Sequence, residues 1–292
     1  TCSIPHKFKM FLNETAIFNL LAMNCLAMNK IQSLGLGIFL FLMLGCQSKS
    51  LEPPASAGLF LQLGHVYEMG PPPGAAVPLV LNQSWLPTTL NQIEINHCQY
   101  YLTGFALQRS DSSWLDFPDA VAYADLERQL QYSWKISDTA PSGTFIAFRL
   151  AVGIDSLRNH SDPALLPVSN PLSLLNSAHM HWNWNTGYIF FKLEGQYQRT
   201  DPPLNGGFSY HLGGDTYYRP MTLRFPPTTL NKVLETMKVE LRMRHFFDGG
   251  HTHWITDSSS FSHASLGDRV AEKLASNLSG AFAWKGMSST NP

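Results

Sequence analysis

Thr144-Phe145-Ile146-Ala147-Phe148-Arg149-Leu150-Ala151-Val152-Gly153-Ile154 reads as a β-strand, with Phe145, Ala147, Arg149 and Ala151 alternating along one side. That period of two is the signature of an extended chain with one face turned to a core. Working outward, the same kind of run recurs. Residues 58–65 form a first strand, 93–107 alternate apolar with polar positions, and 182–193 make another strand with Gly187 at a bulge. Residues 207–211, 217–225 and 237–243 continue the pattern, while 120–131 read equally as a strand or an irregular stretch. Pro71-Pro72-Pro73-Gly74 marks a loop or hairpin end. Only residues 271–278 look helical, with Val270, Leu274 and Leu278 at i, i+4 and i+8. Many short strands at near-regular spacing predict a mainly β fold. The expected form is one antiparallel β-sandwich of Ig-like or Greek-key type over residues 58–292, with a short C-terminal helix.

Composition agrees and narrows the function. The 292 residues carry 20 Lys+Arg against 21 Asp+Glu, so no basic surface for nucleic acid is expected. Hydrophobic residues make up 44% and charged ones 14%, enough apolar material for one substantial core and too little charge for a disordered chain. Gly-x-Ser-x-Gly, His-Glu-x-x-His, a phosphate-binding loop and a dinucleotide fingerprint are all missing from the sequence, and the protein is not expected to be an enzyme.

The start of the chain reads as a targeting segment. Met28-Asn29-Lys30 precedes an uncharged apolar run, residues 34–44, that is too short to cross a bilayer and fits a signal peptide. It ends in Leu42-Met43-Leu44-Gly45-Cys46-Gln47, which resembles the lipobox of bacterial lipoproteins. Residues 1–27 are then an upstream extension or a misplaced start, 28–45 the signal peptide, Cys46 the lipidated residue and 46–57 a tether. The expected location is the cell envelope, on the outer membrane and facing periplasm or cell surface. With Cys46 lipidated, Cys98 is a single thiol in an apolar strand, read as a small buried hydrophobe rather than a ligand.

Histidines carry the chemical signal. Two His-x-His steps occur, His179/His181 and His251/His253. On a regular strand such pairs point to one face about 7 Å apart, close enough to share an ion. Met180 lies inside the first pair, and imidazole with thioether suits a soft ion, copper above all. Packing alone also explains these residues, and it is the first reading of Trp182 and Trp184.

Three blocks follow one another in order: Asn159-His160-Ser161-Asp162-Pro163, Met180-His181-Trp182-Asn183-Trp184-Asn185-Thr186-Gly187-Tyr188, and His211-Leu212-Gly213. Together, over roughly residues 95–282, they resemble the MbnP family of periplasmic or surface copper-binding proteins. The resemblance implies a β-sandwich that binds copper, as Cu(I) or Cu(II). It puts ligands at His160 and His211, with Met180 as a soft third ligand and His181 as fourth choice. His179 ranks as accessory, and His251, His253 and His263 as accessory or structural. In some members a partner related to dihaem cytochrome c peroxidases oxidises a tryptophan to kynurenine beside the copper. Leu157 and Arg158 stand where that tryptophan is expected, which leaves Trp182 and Trp184 as candidates. The implied role is copper storage, uptake or delivery. The competing expectation is a lipid-anchored surface binding or adhesion module whose histidines are structural.

Overall fold

The computed structural model describes residues 57–70, 74–86, 91–183, 187–200, 203–265 and 267–290, all within one compact unit, Ala55–Pro292. Cys46, the expected signal peptide and Trp184 lie outside the described residues. The first half supplies β1 (Gly58–Met69), β2 (Ala75–Pro78), β3 (Ser84–Trp85), β4 (Asn91–Arg109), β5 (Trp114–Phe117), β6 (Ala122–Asp125), β7 (Gln131–Ser137) and β8 (Gly143–Val152). Two single-turn helices follow, α1 (Ser156–Asn159) and α2 (Leu174–Ser177), then β9 (His181–Asn183), β10 (Gly187–Thr200), β11 (Pro203–Gly213), β12 (Arg219–Leu230) and β13 (Leu234–Arg242). The chain ends with α3 (Met243–Asp248), β14 (Phe261–Ser262), α4 (Arg269–Ala281) and β15 (Phe282–Thr290).

Two mostly antiparallel sheets result, as the alternation predicts. One runs β15-β13-β1-β2 with β7 also on β1, and the other runs β12-β8-β4-β10-β11-β14. Two pairings are parallel, β1 with β13 and β11 with β14. The main core lies between the sheets. Leu59, Leu61 and Leu63 of β1 are fully buried in it, each worth about 2 kcal/mol of burial. From the other sheet come Tyr100 and Leu102 of β4 and Phe191 and Leu193 of β10.

The β4–β10 sheet is also covered on its outer side. Neighbours in sequence point to opposite faces, so Tyr100 enters the main core while Tyr101 enters a second cluster with Ile154, Leu172, Met180, Tyr188, Ile189 and Phe190. The segment between β8 and β9 forms that cover. Cys98 is fully buried with its thiol free, and burial pushes its pKa up, in line with a packing role.

Two expectations need correction. Residues 182–193 do not form one strand, and Met180 is not in a strand at all. Met180 ends a 3-10 turn, Ala178–Met180, and β9 folds back against β10, pairing Asn183 with Gly187 and His181 with Tyr188. The expected bulge is present: the register shifts between Gly187 and Tyr188, and Gly187 has φ +70°. The helix near the C-terminus is real but not terminal. Asp268 caps α4 through the amides of Val270 and Ala271, and Leu274 and Leu278 are buried. The chain then continues into β15, which pairs with β13.

Candidate functional site

Asn159 is the joint on which the site is built. Asp155 caps α1 by accepting from the Arg158 amide at 3.1 Å, and that single turn delivers Asn159 and His160 side by side. Asn159 is 1% exposed. Its Oδ1 accepts from the Tyr188 amide at 2.9 Å and its Nδ2 donates to Asp215 Oδ1 at 3.0 Å. Asn159 therefore ties the first block to the end of the second, at the start of β10, with one side-chain atom and to the turn that follows the third with another. Asp215 also accepts from Ser156 Oγ and lies 3.3 Å from His160 Nε2. Partial burial works upward on the Asp215 carboxyl, but the bonds from Ser156, Asn159 and His160 outweigh it and hold the pKa below its usual value.

Back along β11 from Asp215 stand Gly213 and His211. A Cβ at Gly213 would come within 2.7 Å of the Trp182 ring, so the half-buried indole packs close against this backbone. The β10–β11 register sets His211 opposite Lys192 and Ser209 opposite Glu194. His211 and Glu194 are thus diagonal neighbours on one face, and Nε2 meets Glu194 Oε1 at 2.7 Å. A nitrogen that faces a carboxylate at this distance carries the proton and donates it. Nδ1 is then the lone-pair nitrogen, and it is buried with no hydrogen-bond partner among the described residues. Burial lowers the His211 pKa despite the raising effect of Glu194, so the ring is neutral near pH 7. Glu194 continues a polar row across the sheet: it pairs in register with His97 of β4, whose Nδ1 sits 2.8 Å from Glu127.

The short parallel pairing of β14 with β11 brings a further imidazole to His211. Ser209 faces Phe261 and Tyr210 faces Ser262, which carries the next residue, His263, onto the His211 ring. The two centroids are 4.8 Å apart with planes 19° from parallel. His263 also stacks on Phe261 at 4.3 Å and on Trp182 at 6.3 Å.

The His-x-His steps do not form ligand pairs of the expected kind, because neither lies on a regular strand. His179 is exposed in the 3-10 turn, whereas His181 is half-buried at the start of β9 with its ring edge-on to Tyr188 at 4.8 Å. Met180 between them is wholly buried in the second cluster, an environment of packing. His251 is exposed. His253 is buried, and its Nε2 lies 2.9 Å from the Tyr210 hydroxyl. Among the described residues, no three His, Cys, Asp or Glu side chains stand close enough to hold an ion as they lie. Glu194 and Asp215 were not singled out from the sequence. The register of a tight hairpin between β10 and β11 would have exposed the first.

A family model described as MbnP matches residues 73–263, well over half of the chain. The chain belongs to the MbnP family. Its fold also matches MbnP from Methylosinus trichosporium, with a TM-score of 0.50 and 15% identity, over 79% of this chain and 98% of that one. At that identity the likeness speaks for the fold alone. No curated protein matches the chain. The three blocks lie within the residues matched by the family model, the last of which is His263.

Proposed function

We propose that this MbnP-family protein is a non-enzymatic copper-binding protein of the cell envelope. Cys46 tethers it by lipid, and His211 Nδ1 and the His160 ring serve as its metal-binding imidazoles. The observation that carries this is the buried, unpartnered Nδ1 of His211. A buried acceptor left without a partner costs about 1–3 kcal/mol, and a metal ion is one partner that removes the cost. Glu194 fits the same account. A ligating imidazole characteristically donates its other N–H to a carboxylate, which fixes the tautomer and raises the basicity of the metal-facing nitrogen. His160 has its own carboxylate in Asp215. Neutral imidazoles suit Cu(I) and Cu(II) alike. Copper bound here would be stored or passed on. Trp182, against Gly213, is the described candidate for oxidation by a dihaem peroxidase-like partner.

A second reading has one observation in its favour. Leu157, Leu165, Val168 and Leu175 all lie between β8 and β9, and each is more than half exposed, Leu157 at 84%. Exposed apolar side chains concentrated in one segment suit a lipid-anchored binding or adhesion module.

Copper titration of the purified protein separates the two. His211→Ala is expected to weaken binding by at least about 100-fold, and Glu194→Gln by about 10–100-fold, the usual range for a carboxylate behind a ligand. Variants that both bind copper as the parent does would remove His211 from the site.

A further inference from the structure

His263 stands outside the three blocks that define the site, yet its ring lies closer to His211 than any other imidazole in the described contacts. We propose that His263 is the third, mobile imidazole of the copper site, which swings from its stack onto the ion and closes it over His211. This rests on the copper reading given above.

Geometry comes first. A metal–nitrogen bond near 2.0 Å puts an imidazole centroid about 3.2 Å from the ion. Two such rings on one ion then have centroids about 4.5 Å apart at a right angle and about 5.2 Å apart at the tetrahedral angle. The observed separation of 4.8 Å falls between these values. The ring positions therefore already suit a shared ion, and what differs is tilt. Planes 19° apart stack face to face, whereas ligation needs both lone pairs to converge. The change required is a rotation of one ring about its side-chain bonds.

The surroundings decide which ring turns. His211 is pinned, with Nε2 on Glu194 at 2.7 Å and its side chain 13% exposed. His263 is exposed, and its described contacts are stacking contacts with Phe261, His211 and Trp182. Such contacts between partly wet rings are worth about 1 kcal/mol and are readily exchanged for a metal bond. The stacked ring also covers the His211 face in the metal-free protein. A fixed inner nitrogen and a movable outer one give an ion a way in and a way out.

The test uses the parent protein, His263→Ala, His263→Gly and His211→Ala, each loaded with Cu(II). Affinity is read by competition with a chelator, and the number of bound imidazoles by nitrogen hyperfine splitting. His263→Ala is expected to fold as the parent does, to bind about 100-fold more weakly and to show one imidazole fewer. Added imidazole should restore the missing nitrogen in His263→Gly, which a merely structural role would not allow. If His263→Ala keeps both the parent affinity and the parent nitrogen count while His211→Ala loses binding, the inference falls and the copper site stands. A parent protein that binds no copper overturns both.

Discussion

Gly187→Ala is expected to cost about 3 kcal/mol and to weaken copper binding with it. Gly187 has φ +70°, a conformation that strains any residue with a Cβ. The space is also taken. A Cβ there would lie 2.2 Å from Asn159 Oδ1 and 2.6 Å from the Asn159 backbone oxygen. The side chain that joins the three blocks would have to move, and with it the bonds to Tyr188 and Asp215. Gly214→Ala is the control. Gly214 also has positive φ, +83°, but nothing lies within 4 Å of its Cβ, so only the backbone strain of about 1 kcal/mol remains. Urea unfolding and copper titration of the two variants check the difference. Equal losses in both would mean that the Asn159 joint does not hold the site.

Mild acid is expected to remove a large part of the stability through two buried histidines. His65 and His253 are both buried, and burial lowers each pKa from 6.5 to about 4. Burial keeps the His65 ring neutral, although the Leu130 carbonyl that accepts from Nδ1 works upward; Nε2 meets the Tyr100 hydroxyl. Each ring binds its proton more readily in the unfolded chain than in the folded one. Stability is therefore full above pH 6.5, falls as the pH drops toward 4, and levels off below. A shift of this size is worth about 3 kcal/mol per histidine, so the pair rivals the total stability of many domains. The carboxylates with lowered pKa, Asp155, Glu194 and Asp215, act in a lower window, from the ordinary carboxylate range downward. The urea midpoint measured between pH 7 and 4.5 should fall steadily, and a flat midpoint would contradict the burial of these rings.

The sheets were legible because alternation survives in the sequence wherever one face is buried, as in β1, β8 and β13. What failed was anything set by pairing between distant segments. The parallel union of β1 with β13 leaves no local trace. β15 escaped because Phe282-Ala283-Trp284-Lys285-Gly286 forms an edge strand of mostly half-buried residues, interrupted by Gly286 at φ +114°. The run from Trp182 to Leu193 reads as one strand because Trp182 and Trp184 alternate with Asn183 and Asn185 straight into the apolar start of β10.

The site divided in the same way. His160 and His211 come from the family resemblance; the structure sets His160 beside Asp215 and His211 beside Glu194. The spacing argument for His179/His181 failed because a 3-10 turn does not keep a period of two. His263 reads as accessory or structural from the sequence, since the two-residue pairing of β14 with β11 leaves no trace there. Glu194 needed only the hairpin register: Thr200 opposite Pro203 fixes Lys192 against His211, and so Glu194 on its diagonal.

The most direct measurement is the anomalous scattering of crystals of the protein grown with copper, recorded at the copper edge. The account predicts a peak about 2 Å from His211 Nδ1, on the side away from Glu194, with the His160 ring turned toward it. No peak at His211, or copper held instead between His97 and Glu127, would contradict it.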